Sequence, residues 1–229
     1  MSAEDLTRPA TSKVLERRFS KDEVVKAYSR VAWMYNVWAR FTESKAVNEA
    51  LQLADIRDGE KVLEVAVGTG AAFEEVAQRN THGRNEGIDL SPAMLDVAKK
   101  RMKSYNTNNC NLQLGNAYHL PFSNEEFDLV FNSYMLDLLP ESDFVTILRE
   151  FSRVLRPSGR LILVTMAFGK KWYNHIWEWV AGHFPALLTN CRPVFAEKYL
   201  SLAGFNMNPV IESISQNTVP SHVIRVSKP

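Results

Sequence analysis

The sequence contains little cysteine, no surplus of either charge and no long apolar run. Cys110 and Cys191 lie far apart and show no metal-type spacing, so two free thiols are expected rather than a disulfide or a metal site. The 27 basic and 26 acidic residues leave a net charge of +1. A chain without a basic surplus is not expected to bind nucleic acid.

Membrane-spanning and secretory signals are also missing. The longest apolar run, residues 161–168, is too short to cross a bilayer. Residues 1–20 are polar and lack the apolar segment of a secretory signal. The basic residues there leave organelle targeting as an alternative, which Glu4 and Asp5 disfavour. A soluble, cytoplasmic protein with a reducing environment is therefore expected.

What the sequence does contain is a regular alternation of short apolar runs and helical patterns from residue 61 onward. This alternation predicts an α/β fold: a Rossmann-like, doubly wound and mostly parallel sheet of seven strands, with helices on both faces. The strands are predicted at 61–67, 86–90, 111–115, 127–133, 160–167, 209–214 and 221–227. The intervening helices are predicted at 44–54, at 71–79, after a cap at Ser91, at 143–155 and at 195–203.

The first strand of this pattern leads into a glycine turn that reads Glu64-x-Ala66-x-Gly68-x-Gly70. A strand, a glycine turn and a helix in this order present backbone N–H groups to a nucleotide-like cofactor. A nicotinamide site requires a third glycine where Phe73 stands, so S-adenosylmethionine (SAM) fits the turn better. A glycine turn without any ligand is the remaining alternative. Ala66 stands where the SAM turn has a glycine. Because alanine carries a Cβ, we expect Ala66 to keep a negative φ.

Four further segments follow the turn in a fixed order: 87–95, 115–122, 127–130 and 153–159. Together with the turn, they resemble class I SAM-dependent methyltransferases, and most closely the branch of ubiquinone and menaquinone C-methyltransferases. The resemblance covers roughly residues 25–168. It implies that residues 1–54 are a lead-in and helical lid, and that 55–229 form the SAM-binding domain. Residues 169–205 would be an insertion that caps the acceptor site.

The resemblance also implies how the cofactor would be bound. Asp89 would accept both ribose hydroxyls, because a carboxylate matches a vicinal diol. Glu64 would orient the amino group of the methionine part, and aromatic lid residues would face the sulfonium. As alternatives, Glu64 would be a strand-end carboxylate bonding a loop, and the lid aromatics would be core. The implied cofactor-binding residues are Tyr28, Tyr35, Glu64, Ala66, Gly68, Gly70, Asp89, Leu90, Met94, Asn116, Ala117, Asn132 and Ser133.

Catalytic residues are less clearly indicated, because related enzymes often carry histidine where this chain has Asp137. Asp137 is a candidate general base or a residue that fixes the loop before Pro140. Tyr134 is a second candidate that could hydrogen-bond the acceptor, and His175 is a third, although a histidine beside three tryptophans is more commonly packed. Tyr173 and Arg192, with Tyr134, are candidates for substrate binding. No metal is expected.

These patterns predict a SAM-dependent methyltransferase that acts on a small lipophilic or aromatic acceptor, with a quinone precursor favoured. A phospholipid amine, a thiol or another small nucleophile stays open as the acceptor. A nicotinamide-dependent reductase and a non-catalytic SAM-binding protein are the more distant alternatives. The amphipathic segment 172–188 could touch a membrane surface, although packing over the sheet or the acceptor is the favoured explanation. Either a monomer or a homodimer is compatible with the sequence.

Overall fold

A seven-stranded sheet forms the centre of the molecule, and the computed structural model describes residues 44–103, 109–167, 193–215 and 220–229. The strands are β1 (Lys61–Val65), β2 (Arg84–Asp89), β3 (Cys110–Leu114), β4 (Phe127–Ser133), β5 (Leu155–Met166), β6 (Asn206–Ser215) and β7 (Ser221–Ser227). Their order across the sheet is β3-β2-β1-β4-β5-β7-β6. Strands β1 to β5 are parallel to one another, whereas β7 is antiparallel to β5 and β6. The predicted fold class, a mostly parallel doubly wound sheet, is confirmed.

The described helices connect these strands and cover both faces of the sheet. They are α1 (Ser44–Leu53), α2 (Ala71–Arg79), α3 (Pro92–Met102), α4 (Glu141–Val154) and α5 (Glu197–Leu202), with a short 3-10 helix at Leu136–Leu138. Helix α3 begins as predicted, since the Ser91 hydroxyl accepts the N–H of Met94 at 3.4 Å and Pro92 occupies the first turn. No helix in the described ranges is both long enough and apolar enough to cross a membrane.

The core is divided between the two faces because successive side chains of a strand point to opposite sides. Leu63 and Val65 of β1 pack with helices α4 and α5 on one face. Val62 packs with α1 and α2 on the other face. Phe73 of α2 joins a third cluster with α3. Glu64 lies on the same face as Val62, so its carboxylate points toward α1 and α2 rather than toward solvent.

Helix α1 is held by arginines that bind its carboxyl-terminal carbonyl groups. Arg79 donates to the carbonyl of Leu51 at 2.9 Å, and Arg225 donates to that of Leu53 at 2.8 Å. Arg160 donates to the carbonyl of Ala54, the residue that follows Leu53. Positive charge at a helix C-terminus is favourable, because the last carbonyls there lack partners within the helix. These contacts fix α1 over the sheet, where it borders the cavity described below.

The structure differs from the sequence prediction at the start of β5. The strand was predicted at 160–167, but β5 begins at Leu155. The N–H of Ser158 donates to the carbonyl of Lys228 at 3.1 Å, and the N–H of Lys228 donates back to Gly159 at 2.8 Å. This pairing with the end of the chain lengthens the strand. The pairing register with β4 shifts between Phe127 and Leu129, which accommodates the additional residues of β5 between Leu155 and Arg160.

Candidate cofactor site

A cavity of about 530 Å³ lies at the carboxyl ends of β1, β2 and β4. Strand order reverses here, since the chain moves outward from β1 to β2 on one side and to β4 on the other. Ligands of open α/β sheets bind at such a position. Strand ends, the glycine turn and helices α1, α2 and α3 supply the lining, which includes Val47, Asn48, Leu51, Glu64, Ala66, Gly68, Thr69, Glu74, Glu75, Asp89, Leu90, Met94, Arg101, Asn116, Ala117, Tyr118, Ser133, Tyr134, Met135, Leu138 and Leu139.

The glycine turn adopts left-handed backbone conformations where the sequence places glycine. Gly68 has φ 54° and Gly70 has φ 77°. A Cβ atom at Gly68 would meet no atom within 4 Å, so the backbone is open to the cavity there. At Gly70, a Cβ would lie 3.0 Å from the Cβ of Ala98 in α3. The second glycine therefore permits close packing of the turn on α3, and the first leaves room for a ligand.

Ala66 also has a positive φ, of 62°, and the expectation of a negative φ was wrong. The turn imposes on this position the conformation that a glycine would adopt more easily. The left-handed region destabilises a residue that carries a Cβ by about 1–2 kcal/mol. Ala66 lines the cavity, so the strained residue borders the same space as the rest of the turn.

Replacing Ala66 with glycine is therefore expected to stabilise the protein by about 0.5–1 kcal/mol, because relief of strain exceeds the added entropy of the unfolded chain. Urea unfolding monitored by circular dichroism measures this difference. The matched control is Ala93→Gly in helix α3, which should destabilise the protein by about 1 kcal/mol. Lower stability of the Ala66→Gly variant would contradict the strain at this position.

Asp89 connects the glycine turn with the start of α3. Its Oδ2 accepts the N–H of Gly68 at 2.8 Å, and its Oδ1 accepts the N–H of Ser91 at 2.8 Å. Each oxygen retains acceptor capacity, since a carboxylate offers about four lone-pair sites. Burial raises the pKa of Asp89, while the backbone N–H groups that bond to it act in the opposite direction. The carboxylate is 9% exposed and borders the cavity, which is compatible with the predicted ribose contact.

Glu64 is almost completely buried, at 2% exposure, and lines the same cavity. Its Oε2 has no hydrogen-bond partner among the residues that the structure describes. Burial, and secondarily the negative charge of Asp89, raises the pKa of Glu64 well above its usual value. A buried carboxyl oxygen without a partner is unfavourable unless a ligand supplies a donor. The site therefore presents an acceptor directly beside the turn.

The residues predicted to enclose an adenine ring line the cavity and differ in exposure. Leu90 is 50% exposed, whereas Met94 is 3% exposed. The Asn116 side chain accepts the N–H of Tyr118 at 3.1 Å, which closes a tight turn after β3. Ala117 lies within that turn. An exposed leucine at the mouth of a cavity provides apolar surface that a bound ring could cover.

Phe73, which stands where a nicotinamide site has its third glycine, is fully buried between α2 and the sheet. A Cβ placed on Gly87 of β2 would lie 3.1 Å from the ring of Phe73 and 2.8 Å from Val67 Cγ1. The missing side chain at Gly87 therefore makes room for the phenylalanine. An aromatic ring thus stands between α2 and β2, at the position where nicotinamide sites have a glycine for close packing.

Of the two residues predicted at the end of β4, Ser133 lines the cavity. Asn132 is fully buried, and its amide nitrogen donates to the carbonyl of Val65 at 2.8 Å. The register pairs Asn132 with Val65, so its side chain lies on the face opposite to Glu64. The structure thus places Asn132 as a bridge between β4 and β1 rather than among the cavity-lining residues.

Two of the predicted catalytic residues have structural partners. The Tyr134 hydroxyl lies 2.6 Å from the Ser221 hydroxyl, and the residue has an unusual φ of 51° while lining the cavity. Asp137 is 1% exposed, and its Oδ1 accepts the N–H of Met166 at 3.1 Å. Asp137 is not among the cavity-lining residues. This placement favours the alternative interpretation of Asp137, a carboxylate that fixes its loop.

The remaining predicted site residues are Tyr28, Tyr35, Tyr173, His175 and Arg192, and they lie outside the described residues. The same holds for segment 172–188 and most of the proposed insertion 169–205. Roles for these residues therefore remain predictions. No group of three or more His, Cys, Asp or Glu side chains that could hold a metal ion occurs in the described ranges.

Sequence reasoning missed the contributions of α1 and the far end of α3. Val47, Asn48 and Leu51 reach the cavity from α1, and Arg101 reaches it from α3. The sequence signals there were a generic helical pattern and a basic helix end, which the helix dipole explains without a site. Their role depends on tertiary packing, and no spacing rule along the chain predicts it.

Comparison with known proteins identifies related sequences and structures. Residues 62–159 match a family described as a methyltransferase domain. A demethylmenaquinone methyltransferase from Bacillus velezensis is 31% identical over 140 residues, covering 60% of this chain and 58% of that protein. Another from Bacillus cytotoxicus is 33% identical over 151 residues, covering 62% of each. The alignments span about three fifths of the length of these curated relatives.

A solved structure with a similar fold is that of a SAM-dependent methyltransferase from Methanosarcina mazei. It matches with a TM-score of 0.60 and 20% identity, covering 76% of this chain and 94% of that one. These findings confirm the predicted resemblance to class I SAM-dependent methyltransferases, with menaquinone methyltransferases among the related sequences.

Proposed function

We propose that this chain, which resembles class I SAM-dependent methyltransferases, transfers the methyl group of SAM to a small acceptor. One observation carries the proposal: Asp89 is bonded to the N–H of Gly68 at the mouth of a cavity, beside the half-exposed side chain of Leu90. A carboxylate for the ribose, an open backbone turn and an apolar surface for the adenine are thereby brought together.

The charges around the cavity suit a cationic ligand. Four carboxyl groups and one guanidinium occur among its lining residues, so acidic groups outnumber the basic one even where Glu64 is protonated: Glu64, Glu74, Glu75, Asp89 and Arg101. SAM carries a sulfonium and an ammonium group against one carboxylate. An excess of negative charge in a partly enclosed site favours such a ligand over a dinucleotide, which carries two phosphates.

When bound, SAM supplies an activated methyl group, which is the chemically demanding part of the reaction. The protein contributes orientation, and well-aligned reactants can gain on the order of 7–11 kcal/mol. Asp89 and Glu64 would hold the two ends of the donor. Leu51 and Met135 would exclude water from the transfer path, since both line the cavity. A general base is required only for acceptors that must lose a proton.

For the acceptor, we propose C-methylation of a quinone-type aromatic. The support comes from the names of the sequence relatives and from the apolar character of the cavity beyond the turn. Apolar lining residues outside the turn include Val47, Leu51, Met135, Leu138 and Leu139. An aromatic acceptor with an apolar substituent fits such a lining better than a small charged amine.

Calorimetric titration with S-adenosylhomocysteine and, separately, with NADH tests the cofactor. We expect saturable heat with the first compound and none with the second. Binding of NADH alone would contradict the methyltransferase proposal and favour a reductase. Binding of S-adenosylhomocysteine without turnover of any acceptor would favour a non-catalytic SAM-binding protein.

Turnover with radiolabelled SAM against a panel of acceptors tests the substrate class. The panel should hold a demethylated naphthoquinol, a benzoquinol, phosphatidylethanolamine vesicles and a small thiol. Methyl transfer to carbon of a quinol is the expected result. Turnover restricted to the amine or the thiol would reject the quinone assignment while retaining the enzyme class.

A further inference from the structure

Helix α3 reaches back to the glycine turn through the side chain of Arg101. The Nε of Arg101 donates to the carbonyl of Thr69 at 3.0 Å, and its Nη1 donates to Glu74 Oε2 at 3.0 Å. Thr69 lies between the two glycines of the turn, and Glu74 lies in the first part of α2. One guanidinium therefore connects the turn, α2 and α3 at the wall of the cavity.

Gly68 and Gly70, which flank Thr69, are also fixed by contacts that lead to helix α3. The N–H of Gly68 is bonded to Asp89, whose other oxygen accepts the N–H at the start of α3. Gly70 packs so closely on Ala98 that a Cβ there would lie 3.0 Å from the alanine Cβ. Gly68, Thr69 and Gly70 are thus each fixed either by α3 or by Asp89, whose carboxylate also bonds to the start of α3.

We propose that Arg101 is a positioning residue for the cofactor: its guanidinium holds the Thr69 carbonyl so that the turn is already in its binding conformation before the ligand arrives. The inference rests on the proposed function, because it concerns the same turn. A turn that is ordered in advance binds more tightly, since less conformational entropy is lost on binding. Arg101 would act through the backbone of the turn and would not need to touch the reacting atoms.

The geometry requires arginine specifically. A guanidinium presents donors in a planar fork and can bind Thr69 and Glu74 at the same time in fixed directions. A lysine ammonium would keep the charge, but its flexible stem would not hold both partners in that arrangement. The side chains of Arg101 and Glu74 are 35% and 18% exposed, so the pair is partly shielded from water.

Three variants test this role: Arg101→Gln, Arg101→Lys and, as a matched control, Lys100→Gln. Lys100 is exposed, carries the same charge and lies in the same helix turn. The affinity for S-adenosylhomocysteine, measured by calorimetry, should fall about tenfold in Arg101→Gln and partly recover in Arg101→Lys. Lys100→Gln should bind like the wild type. With a competent acceptor, KM for SAM should rise while kcat changes little.

A second readout does not depend on the ligand. The N–H of Gly70 donates to the carbonyl of Val67 at 2.8 Å, and its hydrogen exchange reports opening of the turn. Exchange should be faster in Arg101→Gln than in the wild type or in Lys100→Gln. The milder variant Glu74→Gln, which removes the charge of one of the two partners but keeps an acceptor oxygen, should show an intermediate change and serves if Arg101→Gln fails to fold.

The results of these experiments distinguish a failure of the positioning role of Arg101 from a failure of the proposed methyltransferase function. Full affinity in Arg101→Lys, with a loss in both Arg101→Gln and Lys100→Gln, would show that charge alone matters and would overturn the positioning role. Equal affinity and equal exchange in all variants would overturn it as well. A wild type that binds no S-adenosylhomocysteine would reject the proposed function, whereas faster Gly70 exchange in Arg101→Gln would still support the hold on the turn.

Discussion

Replacing Asp89 with alanine is expected to weaken binding of S-adenosylhomocysteine by at least about 100-fold. Two hydroxyl hydrogen bonds to an ionised carboxylate would be lost, and bonds to charged groups contribute about 1.5–3 kcal/mol each. The N–H groups of Gly68 and Ser91 would also lose their acceptor. The loss of affinity therefore combines a missing ligand contact with a less ordered turn.

Calorimetry measures this loss, and circular dichroism shows whether the variant remains folded. Asp96→Ala provides the matched control, because Asp96 is an exposed carboxylate on α3 that is not among the cavity-lining residues. We expect Asp96→Ala to bind like the wild type. Wild-type affinity in a folded Asp89→Ala variant would remove Asp89 from the ligand site.

The sequence was sufficient to predict a mostly parallel, doubly wound sheet and to place Asp89 in its second strand. Parallel strands alternating with helices limit the possible topologies, and the carboxyl ends of such strands meet at one edge. The motif spacing then places Gly68 and Asp89 together, as the 2.8 Å hydrogen bond between them shows. Local patterns contain this information because each element forms from adjacent residues.

Other features depended on contacts between distant parts of the chain. Tyr134 lines the cavity, as a residue that binds the acceptor would, but the sequence did not predict that its hydroxyl lies beside Ser221, a residue 87 positions later. Asn132 was expected to contact the cofactor, but its amide nitrogen donates to the carbonyl of Val65 in β1. The side-chain direction at a strand end depends on register and on which helix covers the face, and neither is encoded in a short motif.

The positive φ of Ala66 shows a different limit. Residue type predicts the usual conformation of alanine, whereas the turn between β1 and α2 imposes an unusual one. Strained residues of this kind persist when the surrounding structure determines the backbone, and they concentrate near ligand sites. The sequence prediction failed at a position that lines the cavity.

Replacing Glu64 with glutamine is expected to stabilise the unliganded protein at neutral pH and to weaken SAM binding. The carboxyl is buried on the face covered by α1 and α2, and its Oε2 finds no partner in the described part of the chain. An unsatisfied buried acceptor destabilises a fold by about 1–3 kcal/mol, and more when it is charged. Glutamine retains the shape and a buried polar group but removes the charge, so urea unfolding at neutral pH should show a gain that comes from the charge alone.

The gain in stability should depend on pH in a defined direction. Burial raises the pKa of Glu64 well above the unfolded value of 4.5, so the folded protein retains the proton to higher pH than the unfolded chain. The stability that this proton contributes is fully present below pH 4.5 and is lost as pH rises through the folded pKa. The advantage of Glu64→Gln over the wild type should therefore be absent in acid and grow toward neutral and alkaline pH.

The same carboxyl should couple ligand binding to proton release. The charged groups that line the cavity around it are Asp89 from β2, Glu74 and Glu75 from α2, and Arg101 from α3. The ammonium group of SAM or S-adenosylhomocysteine would bring a positive charge beside Glu64 and lower the pKa of its carboxyl. Binding should then expel a proton into the buffer wherever the empty site holds Glu64 in its neutral form.

Calorimetry in two buffers of different ionisation enthalpy, phosphate and Tris, measures the number of protons released. We expect release from the wild type and a smaller release from Glu64→Gln. The affinity of the variant should be about tenfold or more lower at alkaline pH and closer to the wild type in acid. Glu75→Gln, a half-buried carboxylate of α2, is the control for a general effect of negative charge. Equal proton release from wild type and Glu64→Gln would show that another group titrates on binding, because glutamine cannot carry the proton.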